Sequence, residues 1–378
     1  MTPATHQPTA THQVTAAVLH EVGGPLVPTR VTLDPPGPGQ VLVRIRATGV
    51  CASDVHVVDG RLPKPLPFVP GHEAAGEVVA VGPGVDDLAV GAHVVLSILP
   101  RCDACPACLA GRPNHCAWAG ELAGTGTIDG ARTAWHLDDG GPLHHFNGVS
   151  SFADHVVAPR SGAIEIDRAL PWSSAALLGC AVSTGVGAVR NAAEVAKGDT
   201  VAVIGCGGVG LNVILGAVMA GASRIVAIDV NGSALELAAA QGATDTVNAR
   251  ETDTRAEVAR LVPGGVDHAF DAIGRPAALE DAFAITAAGG AAIAVGLYAT
   301  DAKVTIDAFP LIGERRLIGT YLGGGDPQVD IPLLAADVLA GRLPLEQLIV
   351  ERPFTELNDA LDDLRAGRNL ARQVLVLD

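Results

Sequence analysis

Short apolar runs separated by turn-forming residues fill the first half of the chain. VTAAVLH (14–20), QVLVRIRATGV (40–50), EVVAVG (77–82) and AHVVLS (92–97) are rich in β-branched residues, which suit a pleated surface. In the second run Val41, Val43 and Ile45 alternate with Leu42, Arg44 and Arg46, the period of a half-buried strand. DPPGPG (34–39) and VGPGVDD (81–87) punctuate the runs with turn chemistry. Residues 14–182 therefore read as a β-rich domain of irregular barrel type. The Thr-, Pro- and Gln-rich residues 1–13 ahead of it are expected to form a disordered tail.

From about Ser183 the rhythm changes. TVAVIG (200–205), RIVAID (224–229), DTVNA (245–249), VDHAFDAIG (266–274), AAIAVG (291–296) and RLIGTY (316–321) read as strands. Ala- and Leu-rich stretches such as SALELAAAQ (233–241) and AALEDAFAITA (277–287) read as helices between them. Nearly continuous apolar strands with crossover helices predict an α/β domain with a doubly wound parallel sheet over 183–321. Residues 322–378 return to mixed character and end in ARQVLVLD, so the parallel sheet is expected to be inserted into a split β-rich domain. The apolar stretch Val201–Ala222 is long enough to span a membrane. Its glycine cluster at Gly205, Gly207, Gly208 and Gly210 instead favours a strand, a turn and a buried helix.

Composition narrows the function. Apolar residues at 48% and charged residues at 17% allow a substantial core. A net charge of −16 and only 3% aromatic residues oppose nucleic acid or an anionic membrane surface as partner. The N-terminal residues lack the basic and apolar blocks of a secretory signal, and a cytoplasmic location is expected. Seven cysteines then point to metal or catalysis rather than disulfides.

VAVIGCGGVG places Gly205, Gly207 and Gly210 in G-x-G-x-x-G spacing directly after a strand, with Gly208 and Val209 between them. The first glycine permits a tight turn, the second lets a pyrophosphate approach the backbone, and the third lets helix and strand pack closely. Asp229 ends the next strand, where a carboxylate accepts ribose hydroxyls and repels a 2′-phosphate. Val230, Asn231, Gly232 and Ser233 supply no basic residue to reverse that preference. NAD is expected over NADP, and Cys206, a small thiol inside the turn, is expected to be inert.

Two cysteine groups invite metal. Cys102, Cys105, Cys108 and Cys116 form a C-x2-C-x2-C-x7-C run, able to close a tetrahedral zinc site without help from elsewhere. An iron–sulfur cluster fits less well, because the fourth ferredoxin-type cysteine follows after three residues and precedes proline. The second group is dispersed: GVCASDVH (49–56) holds Cys51, Ser53, Asp54 and His56, PGHEAAGEV (70–78) holds His72 and Glu73, and LLGCAVSTGVGAV (177–189) holds Cys180. Read singly, these cysteines would be buried apolar residues and a lone histidine a core residue.

Taken together, GHE at 71–73, the C-x-S-D-x-H run, the four-cysteine segment, GC-x-x-STG at 179–185 and G-x-G-G-V-G resemble the zinc-dependent medium-chain alcohol dehydrogenases. The resemblance covers essentially the whole chain after the tail. The long 119–149 segment, DAIGRP (271–276), VGLY (295–298) and GTYLGG (319–324) are similar to the liver-type and glutathione-dependent formaldehyde dehydrogenase branch. It implies a Rossmann doubly wound sheet inserted into a GroES-like catalytic domain, with two zinc ions per chain. Cys51, His72 and Cys180 would hold the catalytic zinc and leave one position for water or substrate, and the lobe at 100–117 would hold the structural zinc.

The resemblance further implies that Ser53 takes the alcohol proton, which reaches His56 through the cofactor ribose. Asp54 would orient His72, and Glu73 would sit behind the metal. Ile273, Val295, Leu297 and Arg372 join the glycine turn as cofactor contacts; Arg372 would bear more of the phosphate, since Ala52 stands where liver-type members often carry a basic residue. Leu62, Ile98, Phe146 and Asn147 are the substrate-pocket candidates. Ile98 occupies an often aromatic position, which leaves room for bulky or aromatic alcohols. The expected activity is reversible hydride transfer between an alcohol and NAD, with a small-molecule alcohol or aldehyde as partner, in a homo-oligomer with a dimer favoured. One alternative is a glutathione- or mycothiol-dependent formaldehyde dehydrogenase, for which the sequence alone identifies no basic set to hold an anionic conjugate. The other, a zinc-ribbon nucleic-acid-binding protein, is opposed by the net charge.

Overall fold

In this computed structural model, residues 11–369 and 371–377 are described. The chain divides into two compact units, one running to Cys180 and resuming at Asp326, the other spanning Ala181–Gly325. The first contains β1 (His12–Val18), β2 (Val27–Leu33), β3 (Gln40–Gly49), β4 (Glu73–Val81), β5 (His93–Leu96), β6 (Trp135–His136), β7 (Pro142–Leu143), β8 (His155–Pro159) and β9 (Ala163–Glu165). The second contains β10 (Thr200–Ile204), β11 (Arg224–Asp229), β12 (Asp245–Asn248), β13 (Val266–Asp271), β14 (Thr286–Ala294) and β15 (Arg316–Gly319). Strands β16 (Ile349–Pro353) and β17 (Arg372–Val376) complete the first unit.

In the first unit a seven-stranded sheet runs β16-β17-β3-β4-β5-β9, with β8 also pairing β3, and a four-stranded sheet runs β1-β2-β6-β7. Residues 1–10 of the expected tail lie outside the described residues. Its last two positions are a correction: His12 and Gln13 belong to β1 opposite Leu33 and Thr32. There the Gln13 amide donates to the Thr32 hydroxyl at 2.8 Å, and pairing continues into the buried Val14.

The long β3–β4 pair positions the chemistry. These strands are antiparallel, and their register sets Gly49 opposite Glu73. Cys51 follows the end of one strand and His72 precedes the start of the other, so the pairing draws both to the same edge. A third approach comes from the helix Trp172–Leu178, which packs on β3 and β4 and delivers Cys180 just beyond its end. Gly179 makes this possible, because a Cβ there would lie 2.5 Å from the Leu96 carbonyl oxygen.

The second unit is a six-stranded parallel sheet in the order β12-β11-β10-β13-β14-β15. Strand order reverses between β10 and β13, and open α/β sheets bind ligands beyond the strand ends at such a point. The helix expected over 277–287 runs Pro276–Ile285, and β14 starts at once at Thr286. A register shift between Val266 and His268 lets β14 begin earlier than its apolar core AAIAVG suggests. Val226, Ile228, Ala269, Phe283 and Ala292 pack in one buried cluster of this unit. The stretch Val201–Ala222 is β10, a turn and the helix Gly208–Ala220. Among the described residues no single helix is long and apolar enough to cross a membrane.

Candidate active site: a cysteine–histidine cage and a glycine turn

Cys51, His72, Glu73 and Cys180 are all buried, and one ligand atom from each lies within 4.8 Å of the others. The three ligands named from sequence are therefore brought together within the first unit, with the Glu73 carboxylate beside them. Among the described residues the buried His72 Nε2 atom has no hydrogen-bond partner, and neither has Glu73 Oε2. Two thiols, an imidazole nitrogen and a carboxylate oxygen converging with unspent lone pairs suit zinc in chemical type and number.

Asp54 organises this cage. It is fully buried in the helix Ala52–Val58. Its Oδ1 faces His72 Nδ1 at 3.0 Å and accepts the Gly71 amide at 3.2 Å, while its Oδ2 accepts the Cys51 amide at 3.0 Å. A carboxylate on Nδ1 places the proton there and leaves Nε2 as the ligand atom. Burial opposes charge on His72, but the Asp54 and Cys51 charges outweigh it and raise its pKa well above the ordinary value. The Cys180 thiol hydrogen-bonds Cys51 and lowers the pKa of Cys51 well below the thiol range. Phe146 packs edge-on against His72, with ring centroids 5.1 Å apart.

Glu73 is ion-paired with Arg372. Burial pushes its pKa up to about 7 against the pull of that guanidinium. Arg372, expected on a cofactor phosphate, lies buried against this carboxylate, a partnership that the resemblance did not assign. The carboxylate also depends on Gly49, where a Cβ would lie 2.1 Å from Glu73 Oε2. Ser53 and His56 stand three residues apart on the Ala52–Val58 helix, a spacing that shares a face. Burial lowers the His56 pKa below 6.5, with Arg61 adding to the effect.

Among the pocket candidates, Ile98 and Phe146 are buried and Leu62 packs partly buried on the cluster containing Phe146. Asn147 takes a left-handed backbone with φ of 50°. The 119–149 segment is anchored by the fully buried Trp135, whose Nε1 donates to His145 Nδ1 at 3.0 Å. Sequence reasoning missed Lys64: its ammonium donates to the Ala123 carbonyl, lies 3.5 Å from Asn147 Oδ1 and sits 5.4 Å from the Phe146 ring centre. Burial alone lowers its pKa; no carboxylate pairs with it among the described residues.

The four-cysteine run forms a second cage, with the Sγ atoms of Cys102, Cys105, Cys108 and Cys116 within 4.8 Å of one another. Backbone amides favour the ionised thiol at Cys102 and Cys105, lowering the pKa of both, that of Cys105 to about 6. Arg101 ties the lobe to Asp326 at 2.6 Å.

In the second unit each fingerprint glycine has its own constraint. Gly205 has a φ of +95°. A Cβ at Gly210 would lie 1.8 Å from the Gly205 carbonyl oxygen, whereas one at Gly207 would meet nothing within 4 Å. The open side of Gly207 is where a phosphate can approach the amides of Gly208 and Val209 at the helix start. Asp229 is fixed beside the turn, its Oδ2 accepting the Cys206 amide at 2.7 Å and its Oδ1 the Asn231 amide at 2.9 Å. Ile273, Val295 and Leu297 lie on the loops after β13 and β14. Cys206 is buried and its pKa is pushed up to about 12 by that burial.

The family described as alcohol dehydrogenase GroES-like domain matches residues 37–168, and the zinc-binding dehydrogenase family matches residues 208–337. The chain is 36% identical over 371 residues to the S-(hydroxymethyl)glutathione dehydrogenase of Saccharomyces cerevisiae, covering 96% of each chain. A Burkholderia ambifaria alcohol dehydrogenase zinc-binding domain protein superposes with a TM-score of 0.94 at 36% identity, over 98% of this chain and all (100%) of that one. Benzyl alcohol dehydrogenase from Acinetobacter calcoaceticus gives 0.93 at 32% identity, over 97% and 100%. The chain belongs to the zinc-dependent medium-chain alcohol dehydrogenase family.

Proposed function

We propose that this chain interconverts primary alcohols, bulky or aromatic ones included, and their aldehydes with NAD. The buried Cys51–His72–Cys180 cage, with His72 Nε2 left free by Asp54, carries the reading. Zinc held there acidifies an alcohol proton or, in reverse, polarises a carbonyl. The Ser53 hydroxyl takes the alcohol proton, and His56 releases it to solvent; burial of His56 keeps its imidazole neutral and able to accept. Asp229 selects NAD by accepting ribose hydroxyls, and Gly207, Gly208 and Val209 receive the pyrophosphate. Leu62, Ile98 and Phe146 supply an apolar pocket, and the likeness to a benzyl alcohol dehydrogenase supports an aromatic substrate. The test is NADH-linked turnover across aliphatic, benzylic and terpenoid alcohols, with zinc measured on the same preparation. Turnover that survives loss of the Cys51-site zinc overturns the mechanism; activity confined to methanol and ethanol overturns the pocket assignment.

One observation favours a second substrate for the same machinery, a thiol conjugate of formaldehyde. Lys64 is a half-buried cation without a carboxylate partner among the described residues, beside Asn147 and Phe146, and would suit a carboxylate of glutathione. The curated relative in yeast carries that activity in its name. Formaldehyde oxidation with and without glutathione separates the two readings. We also infer a homodimer located in the cytoplasm. Edge strand β15 carries exposed Leu317, and Phe309 and Ile312 just before it are 81% and 78% exposed, an apolar set that a second copy can cover. A monomer by sedimentation equilibrium overturns the dimer.

A further inference from the structure

The second unit holds a buried carboxylate that the proposed chemistry does not use. Asp271, the last residue of β13, is fully buried. Its Oδ1 accepts the amides of Ile273 at 2.8 Å and Gly274 at 3.2 Å. Its Oδ2 accepts a short hydrogen bond from the Tyr298 hydroxyl. Its own carbonyl accepts the amides of Val295 at 3.0 Å and Gly296 at 2.9 Å. One residue thereby gathers the loop after β13 and the loop after β14.

Two glycines let these loops touch backbone to backbone. A Cβ at Gly274 would lie 2.4 Å from the Leu297 carbonyl oxygen, and one at Gly296 would lie 2.1 Å from the Gly274 nitrogen. The assembly also leans on the phosphate turn, because a Cβ at Gly205 would lie 2.5 Å from Ile273 Cγ1. Yet Ile273 and Leu297 are each 43% exposed. Packing holds their side chains only in part; the clamp beneath holds the loops that carry them. Ordering such loops only when a ligand arrives would cost affinity, and ordering them beforehand removes that cost.

We propose that Asp271 and Tyr298 are positioning residues for the dinucleotide, locking the 272–275 and 295–298 loops so that Ile273, Val295 and Leu297 form a ready-made wall against it. This inference rests on the NAD reading above. The hydroxyl of Tyr298 is the part most easily removed without disturbing the fold, because Tyr298→Phe keeps the ring that packs on the core of this unit.

The experiment uses the zinc-loaded enzyme and measures the NADH dissociation constant by fluorescence, KM for NAD and for benzyl alcohol, zinc per chain and the melting temperature. Tyr298→Phe should raise the NADH dissociation constant and the NAD KM roughly tenfold, the worth of one hydrogen bond to a charged group. The alcohol KM at saturating NAD and the zinc content should stay unchanged. Asp271→Asn keeps an oxygen for the Ile273 and Gly274 amides and can donate to the Tyr298 oxygen, so it should perturb binding less than Asp271→Ala. A Tyr298→Phe enzyme with a lower melting temperature but unaltered NADH binding overturns the clamp while leaving NAD use intact. So does an Asp271→Asn enzyme as impaired as Asp271→Ala. A wild-type enzyme that binds no NADH overturns the NAD reading itself.

Discussion

Asp54→Asn is the sharpest test of how the cage is held. The carboxylate serves three donors: Oδ1 takes the His72 ring proton at 3.0 Å and the Gly71 amide at 3.2 Å, and Oδ2 takes the Cys51 amide at 3.0 Å. An asparagine has one acceptor oxygen. If that oxygen faces His72 and Gly71, its NH2 group meets the Cys51 N–H. If it faces Cys51, its NH2 group points at His72 Nδ1 and forces the proton onto Nε2, the atom that would bind zinc in the proposed site. Either arrangement loses a charge-assisted hydrogen bond, at a cost of roughly 1.5–3 kcal/mol. Changing such a metal-orienting partner weakens metal binding about 10- to 100-fold, which is about 1.4–2.8 kcal/mol, so the two routes agree. The assay equilibrates wild type and variant with a graded chelator and measures zinc per chain by emission spectrometry. Asp54→Asn should surrender one zinc at a chelator activity about 10–100 times lower than wild type, and activity should fall with it. The four-cysteine zinc should be retained in both. Unchanged retention of the cage zinc refutes the reasoning, whatever the activity does.

Other outcomes follow from the same geometry. Because burial, aided by Arg61, lowers the His56 pKa, kcat/KM should fall only as pH drops below the ordinary 6.5; pH profiles of wild type and His56→Gln check this, the variant losing that limb. The exposed Arg61 contributes little and is screened by salt, so Arg61→Gln should move the limb upward only slightly. Gly210→Ala should destabilise the second unit, since its Cβ has no room beside the Gly205 carbonyl. Gly207→Ala should fold normally and lose NADH affinity; thermal melts and NADH titrations together separate the two. If the thiol-conjugate reading holds, Lys64→Met should lower kcat/KM for the S-hydroxymethyl conjugate about tenfold relative to benzyl alcohol, the loss of one charge-assisted contact, and an unchanged ratio would remove Lys64 from recognition.

Local chemistry made much of this protein readable from the residues alone. Four cysteines within one short run form a cage almost wherever the chain goes, because their spacing does the work. The glycine turn was legible for a similar reason: strand, turn, helix and acidic residue are consecutive, and backbone sterics at Gly205 and Gly210 are local constraints. Period-two and crossover patterns revealed the strands, though β14 escaped its early boundary because a register shift leaves no mark in hydropathy.

Tertiary structure decided what remote segments do to one another. Nothing near Glu73 announces Arg372, and their ion pair exists because the β17 strand joins β3, which pairs β4. Gly49 reads as an ordinary strand end until the Glu73 carboxylate is found in the space its missing side chain leaves. Lys64 and the Asp271–Tyr298 clamp were equally invisible, since burial and hydrogen-bond geometry are properties of neighbours that sequence distance does not encode. The sequence determined the donor types and the turn chemistry, which depend on covalent structure and short spacing. Only the folded chain decided which donors converge and which charges lie buried together, because strand register and close backbone packing set those distances.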